Sequence, residues 1–122
     1  MYKKNDDRNS FFNIQVTLHG KGGHSSVPSL TRNPIPVAFK LIQIINGKLL
    51  FEFGSFQNVA LFPVEFNAGT QQNIIPDDAF IKFRGESSTV EDRIHLLEIL
   101  DTTVKALGNL YQLETRVVYE NE

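Results

Sequence analysis

The first ordered pattern along the chain is a strict alternation. From Phe11 to Leu18, Phe12, Ile14, Val16 and Leu18 point one way, and Asn13, Gln15 and Thr17 the other. Period-two alternation predicts a strand with one buried face. A glycine-rich loop follows, His19-Gly20-Lys21-Gly22-Gly23-His24-Ser25-Ser26. Asn33-Pro34 then predicts a helix start, because asparagine caps and proline suits the first helical position. The apolar spacing carries that helix to about Ile45, with Asn46-Gly47 as its stop. Its residues form two apolar stripes, Ile35/Ala38/Phe39/Ile42/Ile45 and Val37/Leu41/Ile44. A helix apolar around most of its circumference is expected to be buried on two sides. One side would be its own sheet and the other a partner chain.

The second half repeats the vocabulary. Gly47 to Asn58 reads as a connection carrying Phe51, Phe53 and Phe56. Val59–Phe66 predicts a second strand, and Pro63 inside it argues for a sheet edge. A polar loop, Asn67 to Asn73, leads through Ile74-Ile75-Pro76-Asp77-Asp78 to a third strand over about Ala79–Arg84. Ser88-Thr89-Val90-Glu91 fits a capping box. The helix after it places Val90, Ile94, Leu97, Val104 and Leu107 on one face and ends at Gly108. Tyr111–Tyr119 is the last strand. The order β-α-β-β-α-β predicts an α+β, ferredoxin-like sandwich: a four-stranded antiparallel sheet with two helices on one face. Its first and last strands would be neighbours, so the chain ends would meet, as insertion into another domain requires.

Composition narrows the classes. The chain has 122 residues, enough for one domain. A net charge of −2 and no basic run beyond Lys3-Lys4 speak against a nucleic-acid binder. With no cysteine, disulfides and thiolate metal sites are excluded. No stretch of about 18 apolar residues suggests a membrane span. Residues 1–10 are polar, lack the apolar stretch of a signal peptide, and are expected to be a ragged tail or an artificial start. A cytoplasmic location is the expectation.

Four sites of chemistry are conceivable. Glycines in the Gly20–Ser26 loop allow close backbone approach and could present His24 to a ligand. A phosphate cradle is a rival, but the Gly-Lys-Ser/Thr ending is missing. The plainest alternative is an ordinary turn with an exposed histidine. Metal binding needs three converging ligands, and His19, His24 and His95 do not supply them by spacing. His19 and His95 read as structural or solvent-exposed, so no metal ligand is assigned. Ser25 and Ser26 flank His24 without forming a triad, whose base and orienting group would have to come from elsewhere. Asn73 could hold a carboxylate or carbonyl through its amide, or be a turn asparagine.

Two segments together carry a resemblance. Gly20-Lys21-Gly22-Gly23-His24-Ser25-Ser26-Val27-Pro28 with Asn33-Pro34-Ile35, and Phe66-Asn67-Ala68-Gly69-Thr70-Gln71-Gln72-Asn73-Ile74-Ile75-Pro76-Asp77, resemble the two signatures of the inserted domain of the aminoacylase and glutamate-carboxypeptidase family. Succinyl-diaminopimelate desuccinylases and hippurate-type amidohydrolases belong to the same family. The resemblance spans about Phe11 to Tyr119 and implies a lid and dimerisation domain over residues 11–122. The parent would be a metallopeptidase or amidohydrolase whose two zinc ions sit in a separate catalytic domain, outside this chain. It implies a homodimer through the first helix and the edge strand, with a small acyl-amino-acid or peptide as substrate. His24 would donate a hydrogen bond to the scissile carbonyl's oxyanion in the partner subunit, and Asn73 would touch the substrate. Alone, the chain would be inactive.

Two departures stand out. Many members bind the substrate carboxylate with an arginine near the end of the third strand, where this sequence has Glu86. Arg84 lies two residues earlier, on the same strand face, and could substitute. The usual Gly-Gly is Ala68-Gly69 here. The alternative to the enzyme reading is a stand-alone homodimeric interaction module without catalysis.

Overall fold

A computed structural model describes residues 11–53 and 59–121. The first ten positions and the part of the expected connection at 54–58, which includes Phe56, lie outside the described residues. The elements are β1 (Phe11–His19), β2 (Gly23–His24), α1 (Pro34–Phe53), β3 (Val59–Ala68), β4 (Ile74–Ile75), β5 (Asp78–Ser87), α2 (Val90–Tyr111) and β6 (Glu114–Asn121). The main sheet has the order β3-β5-β1-β6. All its pairings are antiparallel. This is the expected sandwich, with β1 and β6 adjacent. The short β2 and β4 form a separate two-stranded ribbon that alternation could not reveal.

The core lies between one sheet face and the two helices. Phe12, Ile14, Val16 and Leu18 of β1 are fully buried. Ala79, Ile81 and Phe83 of β5 join them, with Val59 and Leu61 of β3. Each large apolar side chain so buried contributes about 1.5–3 kcal/mol. Strand β3 is indeed an edge. Its register shifts between Pro63 and Glu65, so Val64 is a bulged extra residue. The bulge reverses the phase of the strand. Leu61 faces the core before it, and Phe66, opposite Ile81, packs on the core after it.

The helix ends differ from expectation in instructive ways. Asn33 caps α1 as anticipated, its Oδ1 accepting from the Ile35 amide at 3.0 Å. The helix does not stop at Asn46-Gly47 but runs on to Phe53. Tertiary packing of Leu49 and Phe53 on the core overrides the local glycine signal. A Cβ on Gly47 would meet nothing within 4 Å. Gly47→Ala is therefore expected to stabilise the domain by about 0.5–1 kcal/mol, read as a higher denaturation midpoint with unchanged slope. At α2 the cap is Thr89, not Ser88: its side chain accepts from the Asp92 amide at 3.0 Å. Gly108 does not end α2. It sits inside, where a Cβ would lie 2.7 Å from Thr115 Cγ2. Gln112 takes the left-handed cap position instead, at φ 58°.

The buried faces also shift. In α1 one stripe is buried, Val37, Ala38, Leu41 and Ile45, drawn from both expected stripes. In α2 the core face is Leu96, Ile99, Leu100, Val104 and Leu107, while Val90 and Ile94 face solvent. Helix α1 is long and apolar enough, by length and composition alone, to cross a membrane, contrary to the expectation from uninterrupted runs. Its buried stripe on the sheet accounts for part of that apolarity. Ile35, Ile42, Leu49 and Phe53 are half-buried, and Phe39, Ile44, Leu50 and Phe51 are exposed.

Candidate functional site

Both sequence signatures meet at one end of the sheet. Gly23 pairs with Ile75 and His24 with Ile74 in the β2–β4 ribbon. The Ser25 amide donates to the Asn73 carbonyl at 3.0 Å, so His24 and Asn73 are one register step apart. Behind them the loop closes on itself. Lys21 and Arg32 exchange backbone hydrogen bonds of 3.0 and 2.8 Å, and a short 3-10 turn at Pro28–Leu30 reverses the chain between them. His24 thus sits near the tip of a finger whose root is a backbone ladder.

The glycines are there for close approach. A Cβ on Gly20 would lie 2.1 Å from the Arg32 carbonyl oxygen, and one on Gly22 would lie 2.2 Å from that of Ile75. The loop is a tightly packed layer between the 31–32 and 75–77 segments. Gly69 holds the positive φ of its turn, 75°. The turn therefore needs glycine at 69 and tolerates alanine at 68.

The His24 ring is exposed and oriented. Its Nδ1 accepts from the Ser26 amide at 3.1 Å. In the neutral ring that bond leaves the proton on Nε2, which is then the free donor. Asn73 is exposed beside it. Val27 and Leu30 on the same loop, and Ile74 on the ribbon, are exposed apolar residues. A groove of about 440 Å³ adjoins, lined by Asn33, Ile35, Gly69, Gln71, Gln72 and Ile74 among others.

The other candidates lie elsewhere. Arg84 is on the open face of the sheet, its guanidinium 4.4 Å from the centre of the Phe11 ring. It is six residues along β5 from Asp78, roughly 20 Å from the ribbon end. Glu86 shares that face. His95 bridges the helices, with Nε2 3.1 Å from Glu52 Oε1 and its ring edge-on to Phe53. Ser25 and Ser26 act here through their backbone amides, the first on the Asn73 carbonyl and the second on the His24 ring. Among the described residues no three His, Asp or Glu side chains come together as a metal site.

A family model, the peptidase dimerisation domain, matches residues 8–111. The chain belongs to that family. It is 35% identical over 66 residues to thermostable carboxypeptidase 2 of Saccharolobus solfataricus, covering 54% of this chain and 17% of that protein. It is 30% identical over 103 residues to the hippurate hydrolase of Campylobacter jejuni, covering 84% of this chain and 27% of the relative. In structure it is similar to a Staphylococcus aureus protein described as an aminohydrolase, with a TM-score of 0.86 at 18% identity over 93% of this chain and 30% of that one. The dimerisation domain therefore spans less than a third of the length of these relatives.

A dimerisation domain implies a second copy as partner, and the exposed surface suits one. Leu50, Phe62 and Val64 are 62%, 44% and 55% exposed. Leu50 and Phe62 line a cleft of about 200 Å³ between α1 and β3, together with Leu49, Phe53, Val59 and Leu61. Single exposed apolar residues are normal, but a contiguous set beside an open strand edge marks an interaction surface.

His19 steadies the root of the site. Its Nδ1 lies 2.6 Å from Asp78 Oδ1, its register partner across β1 and β5. The hydrogen bond to Asp78 and then that carboxylate's charge raise the His19 pKa above 6.5, with smaller help from Glu114 and Asp77. The sign follows: a raised folded pKa means stabilisation that is full below pH 6.5 and is lost as pH climbs through the folded value. In a histidine NMR titration, Asp78→Asn is expected to bring the His19 midpoint back toward 6.5. An unmoved midpoint would mean the pair does not form in solution.

Proposed function

We propose that this dimerisation domain is the lid of a zinc-dependent amidohydrolase or exopeptidase that cuts an amide or peptide bond near a free carboxylate. The observation that carries the reading is the His24 ring, held by Ser26 with Nε2 outward on a finger joined to Asn73. The two zinc ions belong to the parent's catalytic domain. The residues described here do not fit them: His19 and Asp78 hold each other, and a catalytic zinc needs three protein ligands. No step of the chemistry in this chain runs through the metal.

The chain's own part is electrostatic. As the scissile carbonyl becomes tetrahedral, its oxygen gains negative charge. An Nε2–H fixed in advance strengthens its hydrogen bond as that charge develops, without reorganisation. Asn73 is assigned to the substrate's carboxylate or backbone. Arg84, on the open sheet face, is assigned as the substitute for the family's carboxylate-binding arginine. Exposed apolar Val27, Leu30 and Ile74 suit a surface that closes over a site and excludes water. Dimerisation through α1 and β3 would carry His24 into the partner subunit's site, and the isolated chain would not turn over substrate.

Mixed dimers of the full-length parent test this. One subunit carries His24→Ala; the other keeps His24 but has a disabled catalytic domain. Delivery across the interface predicts recovery of roughly a quarter of wild-type activity after random mixing, from one working site per mixed dimer. No recovery, with mixed dimers shown to form, would rule out delivery in trans.

A further inference from the structure

We propose that Asp77 is a positioning residue for His24, gripping the root of the finger at two points. Its backbone carbonyl accepts from the Gly20 amide at 2.7 Å. Its carboxylate Oδ1 accepts from the Gly22 amide, also at 2.7 Å. A charge-assisted bond of that length is among the stronger ones a backbone amide makes. Gly22 is pressed onto this segment, since a Cβ there would lie 3.0 Å from the Asp77 nitrogen and 2.8 Å from the Pro76 carbonyl carbon. Two residues later comes His24, paired with Ile74. The same short segment, Ile74 to Asp77, therefore holds the finger by strand pairing at its tip and by one aspartate at its root.

The arrangement separates two tasks. Ser26 sets the tautomer and tilt of the ring. Asp77 sets where the ring stands relative to the sheet. Without the carboxylate the Gly22 amide loses its acceptor, and the finger is held by the Gly20–Asp77 backbone bond, the Lys21–Arg32 ladder and the short ribbon. Displacement of a catalytic donor by about 1 Å is enough to lose up to roughly a hundredfold in rate. The neighbouring His19–Asp78 pair anchors the end of β5 from which Asp77 projects. Asp77 is exposed and in an exposed loop, so its contribution to global stability is small beside its effect on geometry.

This inference rests on the reading of His24 as oxyanion donor, and a double-mutant cycle in the full-length parent keeps the two apart. Asp77→Ala is expected to lower kcat about tenfold to a hundredfold, with KM and the dimer unchanged. Asp77→Asn, which keeps an acceptor oxygen, is expected to restore most of the rate. In a His24→Ala background, Asp77→Ala should cost nothing further, because the group it positions is gone. Gly22→Ala, which pushes the same backbone off Ile75, should show the same coupling and serves where Asp77→Ala does not fold. If His24→Ala alone leaves kcat intact, the functional reading fails. If His24→Ala lowers kcat but the Asp77 and His24 effects multiply independently, or Asp77→Ala is silent, the positioning role is overturned.

Discussion

His24→Ala in the full-length parent is expected to lower kcat by roughly 10²–10³-fold, the usual cost of removing one oxyanion donor. KM and dimer assembly should hardly change, because the bond matters when charge has moved onto the oxygen and much less before. The Nδ1 contact from Ser26 sharpens the expectation. With Nδ1 engaged, Nε2 is the nitrogen that faces outward, so a replacement must place an N–H at that distance from the backbone. Glutamine can approximate it and is expected to recover part of the rate; asparagine is too short. A His24→Ala enzyme with full kcat would remove the proposed role outright. A rise in KM alone would instead recast His24 as a substrate-binding group.

Gly85→Val is expected to destabilise the domain by about 3 kcal/mol, an overpacking effect at the upper end of the usual range. Gly85 stands opposite Phe12 in the β1–β5 ladder. A Cβ there would lie 2.4 Å from Phe12 Cζ and 2.5 Å from Cε2. The ring cannot retreat easily. It is fully buried, Tyr119 packs at 5.6 Å between centroids, and the Arg93 guanidinium lies 5.2 Å from its centre. That guanidinium is itself tied to Tyr119 and Asn121 at 3.1 and 2.9 Å. Urea unfolding should show a lower midpoint with the slope unchanged. Phe12→Ala on its own opens a cavity and should cost about 3–5 kcal/mol. Combined with Gly85→Val it should cost less than the sum, since the valine fills part of the gap. Additive losses would show that the two positions do not compete for the same space.

Much of this fold could be read from the chain because its strands have one wet and one dry face. Phe12, Ile14, Val16 and Leu18 are all fully buried, and strict alternation announces such a strand. Pro63 correctly marked an edge. Local signals failed where tertiary contacts outweighed them. Gly47 and Gly108 each looked like a helix stop, yet the first lies within α1 and the second serves close packing against Thr115. The face of α2 differs because Val90 and Ile94 lie roughly 100–140° around the helix from the buried row Leu96, Ile99, Leu100, Val104 and Leu107, so they point away from the sheet.

The site was legible in part. The two motifs were visible as sequence, but their meeting in a β2–β4 ribbon was not, because two-residue strands carry no periodicity. Asp77 had no signal of its own: an aspartate before a strand is ordinary, and only the position of Gly22 above it gives it work. Arg84 shares a strand face with Glu86, the family's arginine position, as the alternation implies. That face proves to be the open side of the sheet, well along β5 from His24.

The strand order has a consequence for how the chain is made. Within the domain β1 is made before the other strands and lies in the middle of the sheet, but both its partners follow late: Leu18 pairs with Ala79 and Thr115, and Phe12 with Gly85 and Asn121. Its four buried side chains therefore wait, unpaired, until nearly the whole domain has been synthesised. Closing such distant contacts is slow, and an unsatisfied apolar strand is a target for aggregation in the meantime. The dependence of yield on chaperones and temperature should thus track the domain's own first strand, long before any surface for a second copy exists.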